Sequence, residues 1–300
     1  MILLKVNNKN TENSIKVVKK DNEINSGHNN HSDILISENQ QPEISDLFIS
    51  ASDIDSKIER FSTEAKSLDD IIGGGLELKT ITQFYGSPGS GKTQLCFTLC
   101  AIFPQCYKCI YLDTEGTFRP ERIKQIAAAR NTNTTLQNIF ISKVSTTLEL
   151  ENCINSIDKK IQLDPTIKLI VIDSMVNLYR VEYPGPAKLS QRQQQLNKYM
   201  SKLHYLAQSK NVAIVITNQV YSDYSTSYQK DKPVGGHIMQ YTCTNIINLV
   251  KSGHRLIAEL IKSPYYPYDT AYLEIDEQGI SEDEETIKRM EGYEKRIVQL

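Results

Sequence analysis

The chain has 300 residues, of which 39% are apolar, so it can bury the core of one large domain with extensions. Its formal net charge of -2 excludes nucleic-acid binding through overall charge, and any such contact requires a local basic patch. No run of about 18 apolar residues indicates a transmembrane helix, and the first ten residues lack a secretory signal, so we expect a cytoplasmic protein.

The amino-terminal part is predicted to be a disordered polar extension over residues 1–47. It is rich in Asn, Ser, Lys and Glu and cannot bury enough apolar surface to offset the entropy lost on ordering. Residues 48–60 are predicted to be a linker. We expect the folded core over residues 61–280 and a charged helical tail over residues 281–300.

Five short apolar runs rich in β-branched residues lie within the predicted core, separated by amphipathic stretches. This alternation predicts an α/β fold in which a mostly parallel, twisted sheet is flanked by helices. After residue 235, three runs follow one another closely and predict an antiparallel carboxyl-terminal extension of the sheet. The five runs cover residues 81–86, 109–113, 139–144, 168–173 and 212–217.

Four of the six cysteines are close in sequence, and Cys106 and Cys109 form a CxxC motif that occurs in zinc sites. Structural zinc normally uses two well-spaced ligand pairs. Cys96 and Cys100 lie four residues apart on a predicted helix that packs on the sheet. We therefore favour packing over a metal site and interpret Cys96 and Cys100 as small buried apolar residues, and we expect no disulfides in a reducing compartment.

Residues 86–93 read GSPGSGKT, which matches the phosphate-binding pattern GxxxxGK[ST], and they connect a predicted strand to a predicted helix. Backbone N–H groups of such a loop and the helix amino terminus attract phosphates, whereas the alternative is a glycine-rich turn without a ligand. We expect Lys92 to contact the β and γ phosphates of ATP and the Thr93 hydroxyl to hold Mg²⁺. The predicted loop residues are Gly86, Ser87, Pro88, Gly89, Ser90, Gly91, Lys92 and Thr93.

Three polar residues at or just beyond the ends of predicted strands complete the expected site. Asp173 ends the run 168–173 and is predicted to be the second Mg²⁺ anchor. Glu115 follows the run 109–113, where it can position or deprotonate the attacking water; the alternative is a helix cap or helix-dipole partner. Gln219 follows the run 212–217, and its amide is a candidate sensor of the γ phosphate.

Several motifs together resemble the RecA/RadA recombinase superfamily, and its short archaeal RadB branch most closely. They are DTEGTFRPERI (113–123), VIDSMVNLYRVEY (171–183), RQQQLNK (192–198), TNQV (217–220) and PVGGH (233–237). Two features favour RadB over RadA. RadA carries a helix-hairpin-helix domain before the core, which residues 1–47 cannot supply, and the phosphate loop resembles the GPPGSGKT form of RadB.

The resemblance implies specific roles for the residues in these motifs. It implies that Glu115 is the catalytic carboxylate and that Gln219 links the γ phosphate to a DNA-binding loop. Arg122 is expected to stack against adenine, and His237 to assist at a filament interface. The implied activity is weak, Mg²⁺-dependent ATP hydrolysis.

The resemblance also implies two loops that contact DNA, the first over residues 180–188 and the second over residues 221–236. Aromatic residues interleaved with cations suit single-stranded DNA, although an ordinary solvated loop is the alternative. Pro186 stands where RadA tends to carry a basic residue, and the second loop looks short, so both features argue against efficient strand exchange. The predicted DNA contacts are Arg180, Tyr183, Lys188, Arg192, Lys230 and Lys232.

Phe48 and Ala51 fit the F-x-x-A pattern through which related recombinases insert a segment into a neighbouring core; the alternative is packing on this chain's own core. The sequence thus predicts a DNA-binding ATPase with an accessory role in homologous recombination and repair. Two alternatives remain: a non-catalytic ATP-bound protein that regulates RadA or a junction nuclease, and a full strand-exchange recombinase.

Overall fold

The computed structural model describes residues 58–288 except residues 105, 134, 223–230, 254 and 287, and the side chains of residues 222 and 231 are also outside it. The predicted extension 1–47, most of the linker 48–60 and most of the tail 281–300 therefore lie outside the described residues. The helices are α1 (Lys66–Ile72), α2 (Lys92–Ile102), α3 (Pro120–Ala129), α4 (Thr147–Leu163), α5 (Asn177–Glu182), α6 (Leu189–Lys210) and α7 (Gly236–Thr242).

Ten of the twelve described strands form one sheet, and a two-stranded antiparallel sheet pairs β1 with β2. The strands are β1 (Arg60–Phe61), β2 (Leu76–Glu77), β3 (Ile81–Gly86), β4 (Lys108–Asp113), β5 (Ile139–Lys143), β6 (Ile167–Asp173), β7 (Ala213–Ser222), β8 (Asp231–Pro233), β9 (Asn245–Ser252), β10 (Arg255–Lys262), β11 (Thr270–Asp276) and β12 (Gly279–Glu282).

The order along the large sheet is β5-β4-β6-β7-β3-β9-β10-β11-β12, and β8 pairs with the end of β7. The six strands from β5 to β9 are parallel, and β10, β11 and β12 continue the sheet antiparallel. This arrangement confirms the predicted α/β fold with its antiparallel carboxyl-terminal extension.

Alternating side chains of the central strands enter two apolar cores, one on each face of the sheet. Leu169 and Val171 of β6 pack with α2 and α3, whereas Ile170 and Ile172 pack with α4 and α6. Burial on both faces explains why these strands are almost continuously apolar in sequence. Cys96 and Cys100 lie in the first core as the packing interpretation expected, and their thiols are free.

The carboxyl ends of the central parallel strands lie side by side along the sheet. The chain passes from β3 to β4 across the positions later filled by β7 and β6, and a crevice forms where such connections diverge. Register brings Gly86 beside Gln219 and Asp113 beside Asp173. None of the helices in the described residues is both long and apolar enough to cross a membrane.

Candidate active site

The phosphate loop is a backbone turn that closes at the amino terminus of α2. Gly89 and Gly91 have φ of 78° and 86°, which is left-handed backbone that favours glycine. A Cβ on Gly91 would also lie 3.0 Å from Ile275 Cδ1, so the loop packs directly on the antiparallel part of the sheet. Because α2 begins at Lys92, its first backbone N–H groups are available to an anion held by the loop.

Lys92 is held inside this loop. Its ammonium donates hydrogen bonds to the carbonyls of Gly86 at 2.9 Å and Ser87 at 2.8 Å. Burial lowers the pKa of Lys92 from its ordinary value, and the negative charges of Glu115 and Asp173 oppose that effect. A phosphate in the loop would add further negative charge and favour the cationic form of Lys92.

Asp173 lies at the end of β6 with its carboxylate buried among three hydroxyl groups. Its Oδ2 accepts hydrogen bonds from Thr93 Oγ1 at 2.8 Å and Tyr111 OH at 2.9 Å, and its Oδ1 accepts one from Thr217 Oγ1. Burial raises the pKa of Tyr111 far above its usual range, so its hydroxyl keeps its proton and remains a donor.

This set of oxygen atoms suits Mg²⁺. The Thr93 hydroxyl directs its hydrogen at Asp173 and keeps its lone pairs available for a cation. Mg²⁺ prefers oxygen ligands and commonly uses one or two protein groups together with phosphates and water. Thr93 and Asp173 therefore fit the metal that the sequence predicted for them.

Glu115 follows the carboxyl end of β4, beside the end of β6 that carries Asp173. Its Oε1 accepts hydrogen bonds from Ser174 Oγ at 2.9 Å and from Gln219 Nε2 at 3.1 Å. Ser174 is itself held by Thr114, whose hydroxyl accepts from the Ser174 N–H and donates to the Ser174 carbonyl, both at 2.8 Å. Neither bond to Glu115 uses Oε2, so this oxygen can interact with a water.

Asp113 stabilises the turn that carries Glu115. The Asp113 carboxylate accepts hydrogen bonds from the backbone N–H groups of Glu115, Thr117 and Phe118 at 3.0–3.2 Å. The following helix α3 has Arg119 as its N-cap residue, so Glu115 does not cap it. The helix-cap alternative for Glu115 is therefore wrong for α3, whereas its roles as a helix-dipole partner or toward the attacking water stay predictions.

Arg122 joins the carboxyl-terminal strands to the phosphate-loop helix. Its Nε donates to Gln94 Oε1 at 2.8 Å, and its Nη2 donates to the carbonyl of Asp276, the last residue of β11. The structure thus places Arg122 beside α2 and the antiparallel extension. Stacking of its guanidinium on adenine stays a prediction.

The strand β7 connects this site to the second predicted DNA loop. Gln219, whose amide contacts Glu115, accepts a hydrogen bond from Val234 N at 3.0 Å through its carbonyl, and Asn218 Nδ2 donates to the Val234 carbonyl at 2.5 Å. Val220 and Tyr221 then pair with Pro233 and Lys232 of β8. Strand β7 therefore continues from Gln219, which contacts Glu115, to Ser222, which directly precedes residues 223–230.

The two predicted DNA loops meet at a cavity of about 320 Å³ whose lining includes Arg180, Arg192 and Tyr221. Arg192 Nη1 also donates to the Tyr183 carbonyl at 3.3 Å. Lys188 and Lys232 are exposed, and Lys230 lies outside the described residues. The cavity is lined by Arg180, Leu189, Arg192, Gln193, Tyr221, Val234, Gly235 and Gly236.

His237 lies at the start of α7 and stacks on Tyr241, with 6.0 Å between ring centroids. Both side chains are exposed. A role for His237 at a filament interface stays a prediction, as do the proposed contacts of Phe48 and Ala51, which lie outside the described residues.

Sequence reasoning missed the side chains that hold the two carboxylates, Tyr111, Ser174 and Thr217. They are far apart in the chain, and only the sheet order brings them together. A signal existed for Thr217, because it precedes Gln219 by two residues and so lies on the same side of β7. The role of Asp113 was also missed, although an Asp before a glycine-containing turn commonly accepts backbone hydrogen bonds.

The order of the strands in the mostly parallel sheet, with its antiparallel carboxyl-terminal extension, is that of a RecA-like domain. Residues 55–283 match the Rad51 family model, and the chain belongs to the Rad51 family. The family consists of RecA-like, DNA-dependent ATPases of recombination and repair, which bind ATP with Mg²⁺, bind DNA and self-associate into filaments.

Proposed function

We propose that this chain is a DNA-binding ATPase with an accessory, RadB-like role in homologous recombination, and that its own ATP hydrolysis is weak. The observation that carries the proposal is the contact between Glu115 and Gln219. It joins the carboxylate suited to activating water to the strand that leads into the second DNA loop. Nucleotide state and DNA binding can therefore influence one another through β7.

In the proposed reaction the nucleotide phosphates bind in the loop of residues 86–93. Lys92 would balance the charge of the β and γ phosphates, and Thr93 and Asp173 would hold Mg²⁺, which would supply further positive charge beside the phosphate oxygens. Glu115 orients the attacking water through Oε2 and accepts its proton. Gln219 contacts the γ phosphate when ATP is bound and Glu115 when it is not.

The proposed DNA surface is the region around the cavity between the two loops. Arg180 and Arg192 supply cations to the lining of this cavity, and Tyr221 supplies an aromatic ring. A cation beside an aromatic face suits single-stranded DNA, which offers phosphates and unstacked bases together. Lys188 and Lys232 lie at exposed positions of the same loops and extend the positive surface.

Two local features support an accessory role over full strand exchange. Pro186 begins a short 3₁₀ turn, Pro186–Lys188, at the exposed end of the first loop, where the RadA pattern carries a cation. In the second loop region, Ser222 of β7 pairs with Asp231 of β8, so only eight residues separate the paired ends of these strands in sequence. Both features reduce the charge and length available for holding a second strand.

We also propose that the chain associates with a neighbour, either another copy or RadA, through Phe48 and Ala51. The candidate receptor is an apolar cavity of about 360 Å³ between α4 and β5, the strand at one lateral edge of the sheet. Ile141 on the edge strand β5 is 42% exposed, and an edge strand can pair with an added segment. The cavity is lined mainly by Ile110, Leu112, Phe140, Ile141, Cys153, Ile157 and Leu163.

ATP turnover measured with and without single-stranded DNA tests the proposal. We expect slow Mg²⁺-dependent hydrolysis with little stimulation, together with DNA binding in a separate assay. No turnover despite ATP binding would indicate a regulatory protein that uses ATP only as a ligand. Strong stimulation accompanied by strand exchange would instead indicate a full recombinase.

A further inference from the structure

The Asp173 carboxylate accepts three side-chain hydrogen bonds, and only one of them comes from a predicted Mg²⁺ ligand. Three hydroxyl groups from three different segments, β4, β7 and the start of α2, donate to its two carboxylate oxygens. Thr93 is the predicted Mg²⁺ ligand, but Tyr111 and Thr217 are fully buried and have no role in the chemistry described so far.

We propose that Tyr111 and Thr217 are positioning residues that fix the Asp173 carboxylate for Mg²⁺ binding. The proposal rests on the proposed Mg²⁺–ATP function of this site. Thr217 holds Oδ1 and Tyr111 holds Oδ2, so the two residues act on opposite sides of the carboxylate. Together they would keep the carboxylate in one orientation for a metal ion bound beside Thr93.

The surroundings of Tyr111 are suited to this task. Its ring packs against Phe118 and Phe97, with centroid separations of 4.9 and 6.0 Å, and this aromatic cluster keeps the hydroxyl directed at Asp173. Groups that hydrogen-bond to a metal ligand orient it, and their removal typically weakens metal affinity without removing the ligand itself.

Thr217 lies on the same strand as Gln219, the residue that contacts Glu115. It lies two residues before Gln219, so β7 presents one side chain to each carboxylate of the site: Thr217 to Asp173 and Gln219 to Glu115. The metal anchor and the group predicted to activate water are thus aligned by one strand. A change at Thr217 is expected to act first on the metal.

A purely structural role is the competing explanation, because a buried carboxylate needs hydrogen-bond donors whether or not it binds a metal. The two explanations differ in what Mg²⁺ does. Removal of a structural bond lowers the melting temperature and leaves the Mg²⁺ dependence of nucleotide binding unchanged. Removal of a positioning bond shifts that Mg²⁺ dependence.

The test uses Tyr111→Phe and Thr217→Val in the full chain, with binding of a fluorescent, non-hydrolysable ATP analogue measured as Mg²⁺ is titrated. We expect each variant to need about 10- to 100-fold more Mg²⁺ for half-maximal effect, with unchanged nucleotide affinity in the absence of metal. Thr217→Ser retains a hydroxyl and should restore the wild-type titration.

Tyr179→Phe is the matched control. Tyr179 is also fully buried, but its hydroxyl has no hydrogen-bond partner among the described residues, so this variant should titrate as wild type does. Wild-type Mg²⁺ curves for both Tyr111→Phe and Thr217→Val would overturn the inference and leave the proposed function intact. A wild-type protein whose nucleotide binding ignores Mg²⁺ would overturn both.

Discussion

The ends of the central strands and the two predicted DNA loops are built in opposite ways. At the strand ends, Lys92 and Asp173 are 9% and 1% exposed, and each is hydrogen-bonded to neighbouring groups. Around the predicted DNA loops, Arg180 on α5, Lys188 in a 3₁₀ turn and Lys232 on β8 are exposed. Buried side chains supply fixed geometry for chemistry on phosphates, whereas long exposed side chains supply charge that can adapt to a flexible polymer.

This contrast leads to a prediction about the size of mutational effects. Substitutions at the strand ends should abolish or strongly reduce one defined step, because each group there has one task. Substitutions in the loops should produce graded and roughly additive changes, because several cations share the same task. The following variants test the contrast from the largest expected effect to the smallest.

Lys92→Ala should abolish hydrolysis and weaken ATP binding, since the variant has no cation inside the phosphate loop. Nucleotide affinity and turnover of the purified variant, compared with wild type, provide the measurement. Equal affinity and equal turnover in the two proteins would show that the loop does not hold the phosphates of ATP.

Glu115→Gln should lower turnover by about 10²-fold or more while Mg²⁺–ATP stays bound, because the amide cannot accept the proton of the attacking water. The substitution keeps the shape of the side chain, and nucleotide binding serves as the internal control. Hydrolysis at the wild-type rate would give Glu115 a structural role only.

Phe48→Glu should weaken assembly, because burial of one such ring is worth about 1.5–3 kcal/mol, which corresponds to about a ten- to hundredfold change in association constant. Sedimentation of the wild type and the variant, alone and mixed with RadA, measures this change. A lower melting temperature with unaltered assembly would instead indicate that Phe48 packs on its own core.

The loop cations should contribute additively to DNA affinity. Replacing Arg180, Lys188, Lys230 and Lys232 with Gln should reduce the slope of log affinity against log salt by about 0.7 for each phosphate of single-stranded DNA that is no longer neutralised. A charge-matched control replaces four lysines near the amino-terminal ends of the parallel strands, and its slope should equal that of wild type. The control positions are Lys79, Lys108, Lys168 and Lys210.

The same contrast explains what the sequence could predict. The apolar run 81–86 coincides with β3, because a strand buried on both faces leaves a continuous signal. The run 212–217 ends before β7 does, because Asn218 and Gln219 interrupt the apolar pattern while pairing with β3 and β8 continues the strand to Ser222. Local pattern cannot reveal pairing with a distant segment.

The site shows a similar division. Lys92 and Thr93 belong to one contiguous motif, and Asp173 ends an apolar run, so their chemistry was visible in the sequence. The contacts of Tyr111, Ser174 and Thr217 depend on the order of β4, β6 and β7 in the sheet, which no short motif encodes. The family match to residues 55–283 supports the class of protein, and the roles of individual residues stay predictions for experiment.

The link through β7 is the central claim, and the affinity for single-stranded DNA measured with and without a non-hydrolysable Mg²⁺–ATP analogue tests it most directly. We predict that the analogue raises DNA affinity in wild type and that Gln219→Ala removes this change while both ligands still bind. An equal change in wild type and Gln219→Ala would contradict the claim that Gln219 carries the nucleotide signal to the DNA loop.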